Sequence, residues 1–417
     1  MKQTSHYLSA ALVCAAVCLV GCGPKRAVTT RPTEEPMSLE AAMKLIDTRP
    51  DWIGSYPAII IPRHPAEKFL KGVTIVLDPG HGMSDGNSVE KDPTYKRGPT
   101  GVREDDINLR VGLLLHRLLK DAGANVILTR DRDMYLGLKE RADIANSAIR
   151  PDGGVGADLF ISIHHNAVNN PVANYTSVWY HGQVDDAETG LDAARYIAHR
   201  LGAAMRTDVG KTSPLLSDQL MYPGGFGVLR ACEVPGILLE CSFYTQHEEE
   251  QRLRDAGYNL REAYAIYEGL CEWAYGGRPT QLTPSVAFSP VGGNQVRLAT
   301  TLDERLPDWW GRDRTRILQS SVRVNINGKP VPHDFDPVTK QLTATFTLPS
   351  RGEPGTTMAI DLEIHFSNMF KHANHPQRYV VEVQPQDWSL TIRPQRVKQA
   401  RAAATRPASV PATMNVN

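Results

Sequence analysis

Charge of neither sign is in excess in this 417-residue chain, where 46 Lys and Arg stand against 46 Asp and Glu. Without a net charge there is no long-range field to gather a polyanion, and no basic stripe is interleaved with aromatics, so no nucleic-acid partner is expected. Cysteine is also scarce. There are six in all, with Cys14, Cys18 and Cys22 crowded at the start and only Cys232, Cys241 and Cys271 in the remainder. Three thiols allow one disulfide at most and leave its pairing open, so no disulfide framework can be what holds the fold. What is present is 41% hydrophobic and 22% charged residues, enough for sizeable cores, and at this length two domains with appendages are expected.

The first segment reads as an address. Lys2 precedes an apolar stretch from Leu8 to Val20 that is too short to span a bilayer comfortably, so residues 1–21 are expected to be a secretory signal. The stretch ends in Leu19-Val20-Gly21-Cys22, which resembles a bacterial lipobox. That resemblance implies cleavage before Cys22, acylation of its thiol and a lipid anchor on the periplasmic side of a bacterial membrane. The alternative is a plain signal with a chance cysteine. Residues 22–70 are then a tether and N-terminal extension, polar and Pro-containing to Met37, with a short helix from Ser38 to Asp47.

From 71 to 277 short apolar runs alternate with helical patterns. Val73 to Leu77, Asn125 to Thr129, Leu159 to Ile163, Ser177 to Tyr180 and Gly236 to Glu240 read as strands; Asp105 to Lys120, Leu138 to Ile149, Ala187 to Met205 and Glu248 to Tyr275 read as helices. This predicts an α/β domain with a mostly parallel, twisted sheet flanked by helices. Three of the runs lead into polar groups: the first into Asp78-Pro79-Gly80-His81-Gly82, the third into His164-His165-Asn166-Ala167, the last into Glu240. In open α/β sheets the ligand crevice lies at the carboxyl ends of the strands, which brings His81, His164 and Glu240 to one cleft.

Two imidazoles and a carboxylate are among the ligand sets that suit a catalytic zinc with an open position. His81 and His164 supply the imidazoles. Glu104, at the start of the Asp105 helix, is the best third ligand, although Glu104, Asp105 and Asp106 also read simply as acids complementing a helix N-terminus. His164 and His165 point to opposite faces of a strand, so only one of them can bind the ion. Glu240, at the mouth of a buried strand, carries a charge that is costly unless it serves a partner or a reaction; beside the metal it would act as general base and then acid.

Asp78-Pro79-Gly80-His81-Gly82, Glu104-Asp105-Asp106-Ile107-Asn108-Leu109, Ser162-Ile163-His164-His165-Asn166-Ala167 and Val234-Pro235-Gly236-Ile237-Leu238-Leu239-Glu240 occur in order within about two hundred residues and resemble the successive motifs of the zinc-dependent N-acetylmuramoyl-L-alanine amidases. The resemblance implies one Zn2+ held by His81, Glu104 and His164, with Glu240 as catalytic acid/base, cleaving the amide between N-acetylmuramic acid and the L-alanine of the peptidoglycan stem peptide. It selects His164 over His165. Two features depart from the pattern: a loop between His81 and Glu104 longer than usual, and His165 where a small residue is common. A zinc peptidase acting on another envelope peptide, and an inactive wall-binding lipoprotein, are the competing expectations.

After Gly276-Gly277-Arg278-Pro279 the texture changes to short alternating runs, with Asn327-Gly328 as a hairpin signal, so 278–396 is expected to be a small β-sandwich-like module and 397–417 a disordered tail. The module is the candidate surface for the wall or for a regulatory or wall-associated protein partner. His372 and His375 could hold a second metal but fit a solvated loop better, and Trp309-Trp310 fits a core or loop anchor better than a glycan platform.

Overall fold

The computed structural model describes residues 61–394 apart from 83–95, 171, 183, 209–213, 282–286, 293, 307–315, 349–357, 376–377 and 384–389. The expected signal peptide, Cys22, the tether, the Ser38 helix, Trp309-Trp310 and the tail lie outside the described residues, as does most of the loop between His81 and Glu104. No helix among the described residues is long and apolar enough to cross a membrane.

Six strands form the first sheet: β1 (Thr74–Pro79), β2 (Asn125–Leu128), β3 (Leu159–Asn166), β4 (Ser177–Tyr180), β5 (Leu215–Ser217) and β6 (Gly236–Phe243), in the order β2-β1-β3-β6-β4-β5. β2, β1, β3 and β6 are parallel; β4 runs antiparallel to β6 and carries β5 parallel to itself, so the sheet is mixed. Alternate residues face opposite sides. Ile75, Leu77, Ile161, Leu239 and Cys241 pack on α1 (Glu104–Asp121), α3 (Val184–Met205) and α6 (Ala256–Tyr275). Val76, Phe160, Trp179 and Leu238 pack against α2 (Leu138–Ser147) and α4 (Gly227–Ala231). Burial on both faces is why these strands are apolar throughout instead of alternating.

The segment from Glu248 to Tyr275, expected to be helical over most of its length, forms two helices, α5 (His247–Leu253) and α6. The break has a local cause, because the Asp255 side chain accepts the Tyr258 N–H and starts a new helix. The acidic run Glu248-Glu249-Glu250 in the first turn of α5 does more than complement a helix N-terminus: the buried Glu250 carboxylate accepts the N–H groups of Thr100 and Val102, fastening the turn that feeds Glu104 into α1.

α6 ends at Tyr275 and a second, antiparallel β region follows, beginning at β7 (Thr280–Gln281). One sheet orders β11 (Lys329–Pro330), β10 (Arg323–Ile326), β14 (Met358–His365), β15 (Arg378–Val383) and β16 (Leu390–Pro394). The other orders β12 (His333–Asp336), β13 (Gln341–Thr347), β9 (Gln295–Asp303) and β7, with β8 (Ala287–Gly292) also paired to β9. Val296, Leu298, Leu342 and Phe346 of one sheet share a single buried cluster with Val324, Ile360, Leu362 and Ile364 of the other, as a sandwich requires. Asn327 and Gly328, both at positive φ, make the two-residue turn between β10 and β11.

The loop 366–375 is not solvated, contrary to expectation. His372 is buried, with Nδ1 at 2.8 Å from the Gly277 carbonyl and Nε2 at 3.1 Å from the Tyr196 hydroxyl. The Ala373 N–H donates to Asp192 of α3, Asn368 donates to the Gly276 carbonyl, and His375 Nε2 lies 2.9 Å from the Glu233 carbonyl. Burial pushes the His372 imidazole down to about 4, so it serves here as a neutral interface side chain. Cys232, Cys241 and Cys271 are buried and take part in no disulfide among the described residues.

Candidate active site

The sheet register sets the site. β3 and β6 are parallel neighbours with His164 directly beside Glu240, and β1 pairs with β3 so that Asp78 lies beside Ser162. His81 follows β1 by two residues at φ 59, a left-handed conformation that costs a non-glycine residue energy and is held by the surroundings. Gly80 cannot carry a side chain, since a Cβ there would lie 2.2 Å from the His164 ring.

Two arginines grip this turn. Arg130 Nε donates to the Pro79 carbonyl and its Nη2 to the carbonyls of Gly80 and Asp105. Arg141 donates to Pro79 and His81 carbonyls and forms a buried pair with Asp78 at 2.6 Å. Burial works against ionisation of Asp78, but the Arg141 charge and hydrogen bonds from Thr129, Ser162 and Arg141 hold its carboxyl below the usual range.

His81, Glu104 and His164 are brought together, each offering a ligand atom, all within 4.8 Å of one another. Glu104 Oε1 lies 3.1 Å from His81 Nε2 and 3.1 Å from His164 Nδ1. The Lys96 ammonium is 3.1 Å from Glu104 Oε2. Burial opposes the Glu104 charge, yet the neighbouring His81 and Lys96 hold the carboxyl well below its usual range, so it is an anion. Burial pushes His164 down to about 4, so its imidazole is neutral. A neutral imidazole and an ionised carboxylate are the forms that bind a metal.

The tautomer supports the same reading. Ser162 Oγ donates to Asp78 Oδ2 at 2.7 Å, so it accepts from His164 Nε2 at 3.1 Å. With the proton on Nε2, the Nδ1 lone pair faces the Glu104 carboxylate, an arrangement of two acceptors that a cation resolves. The donor set therefore fits a zinc ion. Glu240 stands beside these groups, its Oε2 shielded from solvent and without a hydrogen-bond partner among the described residues. Burial and the Glu104 charge push its carboxyl up to about 8, against the opposing influence of Lys96 and His81.

Sequence reasoning missed Arg130, Arg141, Asn108 and Lys96. The first two close strand β2 and sit one helical turn into α2, where charged residues read as ordinary surface. Two further groups of ligand-type side chains occur among the described residues, His165 with Cys241 and Glu262, and Asp105 with Asp106 and Asp133. In the latter, ion pairs from Arg103 to all three acids supply the countercharge.

These features define an α/β domain in which two histidines and one carboxylate, a donor set that could hold a metal ion, converge at the carboxyl edge of its sheet. Residues 75–272 match the N-acetylmuramoyl-L-alanine amidase family. The chain is 27% identical over 224 residues to the N-acetylmuramoyl-L-alanine amidase LytC of Bacillus subtilis, covering 53% of this chain and 40% of that protein. It is 31% identical over 202 residues to the probable cell wall amidase LytH of Staphylococcus aureus, covering 48% and 58% respectively. A solved N-acetylmuramoyl-L-alanine amidase from Clostridium difficile 630 is 27% identical with a TM-score of 0.41, over 49% of this chain and 97% of that one. The chain thus spans roughly half the length of the curated relatives it matches.

Proposed function

We propose that the protein is a lipid-anchored amidase of the bacterial cell envelope that hydrolyses the bond between the lactyl group of N-acetylmuramic acid and the L-alanine of the peptidoglycan stem peptide. The observation that carries this is the register of His164 against Glu240, which sets a shielded carboxyl beside three converging ligand groups. His81, Glu104 and His164 would hold the zinc, whose chemistry when bound is to polarise the amide carbonyl and to make water a better nucleophile. Glu240 takes a proton from the attacking water and delivers it to the departing nitrogen as the C–N bond breaks, leaving a carboxylic acid and a free L-alanine amine. A carboxyl raised toward neutrality is matched to both halves of that transfer. Ser162 and Asp78 keep His164 in the ligating tautomer, and the arginine-held turn keeps His81 in place.

The test is incubation of the mature protein with purified peptidoglycan and zinc. New L-alanine amino ends are expected among the released stem peptides. Cleavage within the stem peptide instead would favour a zinc peptidase, and no cleavage would favour a wall-binding protein without turnover.

Anchoring through Cys22 belongs to the same proposal, since multiple acyl chains give stable membrane attachment where one does not. Cys22→Ser is expected to leave an uncleaved precursor or a soluble envelope protein, while the parent partitions into detergent. Detergent partitioning that survives the exchange would show that the membrane is held by something other than acylation. The β region then serves to set the amidase against the wall or a protein partner.

A further inference from the structure

On the far side of the sheet from Glu240, a buried polar group has no part in the mechanism above. His165, Asn108 and Glu262 are each 1% exposed or less, beside the apolar residues of β3, β6, α1 and α6 and the buried Arg110 and Asn259. Burying three such groups in a core costs stability unless they satisfy one another.

Their hydrogen bonds have a direction. Asn108 Nδ2 faces the Gly80 carbonyl at 3.3 Å and Glu104 Oε1 at 3.4 Å, while Asn108 Oδ1 faces His165 Nδ1 at 2.9 Å. The reversed amide would point its oxygen at two other oxygens, so only this orientation is satisfied, and His165 Nδ1 must donate. The other ring nitrogen, Nε2, lies 3.3 Å from Glu262 Oε2. With a proton held between Nε2 and Glu262 Oε2, the carboxyl group fixes the ring, the ring fixes the Asn108 amide, and the amide reaches the turn carrying His81 and the oxygen of Glu104 that both ligand histidines approach. The His165 backbone N–H reaches the same Oε1 at 3.4 Å. The Cys241 thiol, kept protonated by burial and by the Glu262 charge and hydrogen bond, closes the cluster.

We propose that Glu262 and His165 are positioning residues for the metal centre, acting through Asn108 to fix the orientation of Glu104 and the backbone at Gly80. This rests on the reading of His81, Glu104 and His164 as the zinc ligands. It gives a use to the histidine that stands where the resembling family commonly carries a small residue. Contacts at 3.3 to 3.4 Å orient the carboxylate without competing for its charge, so the effect falls on how tightly the ion is held. Partners of metal ligands of this kind change affinity by about 10- to 100-fold when removed.

The experiment measures zinc affinity by chelator competition on the full mature chain, with folding checked by circular dichroism. The double variant His165→Leu/Glu262→Leu removes both polar partners together, so neither is left buried and unpaired, and His165→Gln retains an amide donor toward Asn108. The double variant is expected to bind zinc about 10-fold or more weakly, and His165→Gln within about threefold of the parent. If the double variant binds zinc within twofold of the parent, the cluster is only core packing and the proposal is overturned. If the parent takes up a second zinc that the double variant lacks, His165, Cys241 and Glu262 form a metal site in their own right, which also overturns it. A parent that binds no zinc would overturn the ligand reading, and the relay with it.

Discussion

Glu240→Ala is expected to lower turnover on peptidoglycan by on the order of 10²-fold or more, the usual scale for loss of a general acid/base, while zinc content stays at about one per chain. The two quantities separate because Glu240 is not among the three converging ligand groups, although it sits beside His164 in the sheet. Substrate affinity should change less than turnover, since the proton transfer is made only on the way to the transition state. The fold should not suffer. In the metal-free chain the Glu240 carboxyl titrates near 8 rather than the usual 4.5, because burial and the Glu104 charge disfavour its anion. A carboxyl that binds its proton more tightly when folded makes the fold lose stability as pH rises between those values. Glu240→Gln should remove that slope in metal-free protein. Near-normal turnover by either variant would take Glu240 out of the mechanism.

The chemistry was legible at the strand ends because a strand buried on both faces must be apolar, so an acid or imidazole directly after such a run stands out. Val73 to Leu77 before Asp78, and Gly236 to Leu239 before Glu240, are of this kind. The opposite facing of His164 and His165 was legible too, since it follows from the pleat alone, and the structure gives the two rings different neighbours. Register was not legible. That Glu240 pairs with His164, and that β4 runs against β6, depends on how helices tile the two faces, which no local pattern encodes. Nor were the supporting groups. Arg130 and Arg141 donate to backbone carbonyls, and carbonyls are present at every residue, so the sequence holds no mark of which ones they serve. His372 read as solvated because it lies in a polar loop, whereas its burial comes from contacts with Tyr196 and Gly277, far away in sequence. The helix break at Asp255 was readable in principle, as an acidic cap inside an otherwise continuous pattern.

Removing a ligand tests the centre more directly than removing the acid/base. The parent chain is expected to bind about one zinc, and His81→Ala or His164→Ala to lose most of it, because a catalytic site with three protein ligands has none to spare. His81 is the cleaner of the two. Its backbone lies at φ 59, a strain that histidine already bears and that alanine inherits with only a small addition. Its carbonyl is held by Arg141 and the flanking carbonyls by Arg130 and Arg141, none of which involves the imidazole. The turn should therefore persist while Glu104 and His164 are left as a two-ligand remnant. His164→Ala, by contrast, also takes a donor from Ser162, whose hydroxyl bonds Asp78, and so perturbs the buried pair with Arg141. The His81 variant should keep the parent's circular dichroism and melting behaviour when both are metal-free, and differ in metal content by elemental analysis after dialysis. Zinc held in full by His81→Ala would rule out this ligand set.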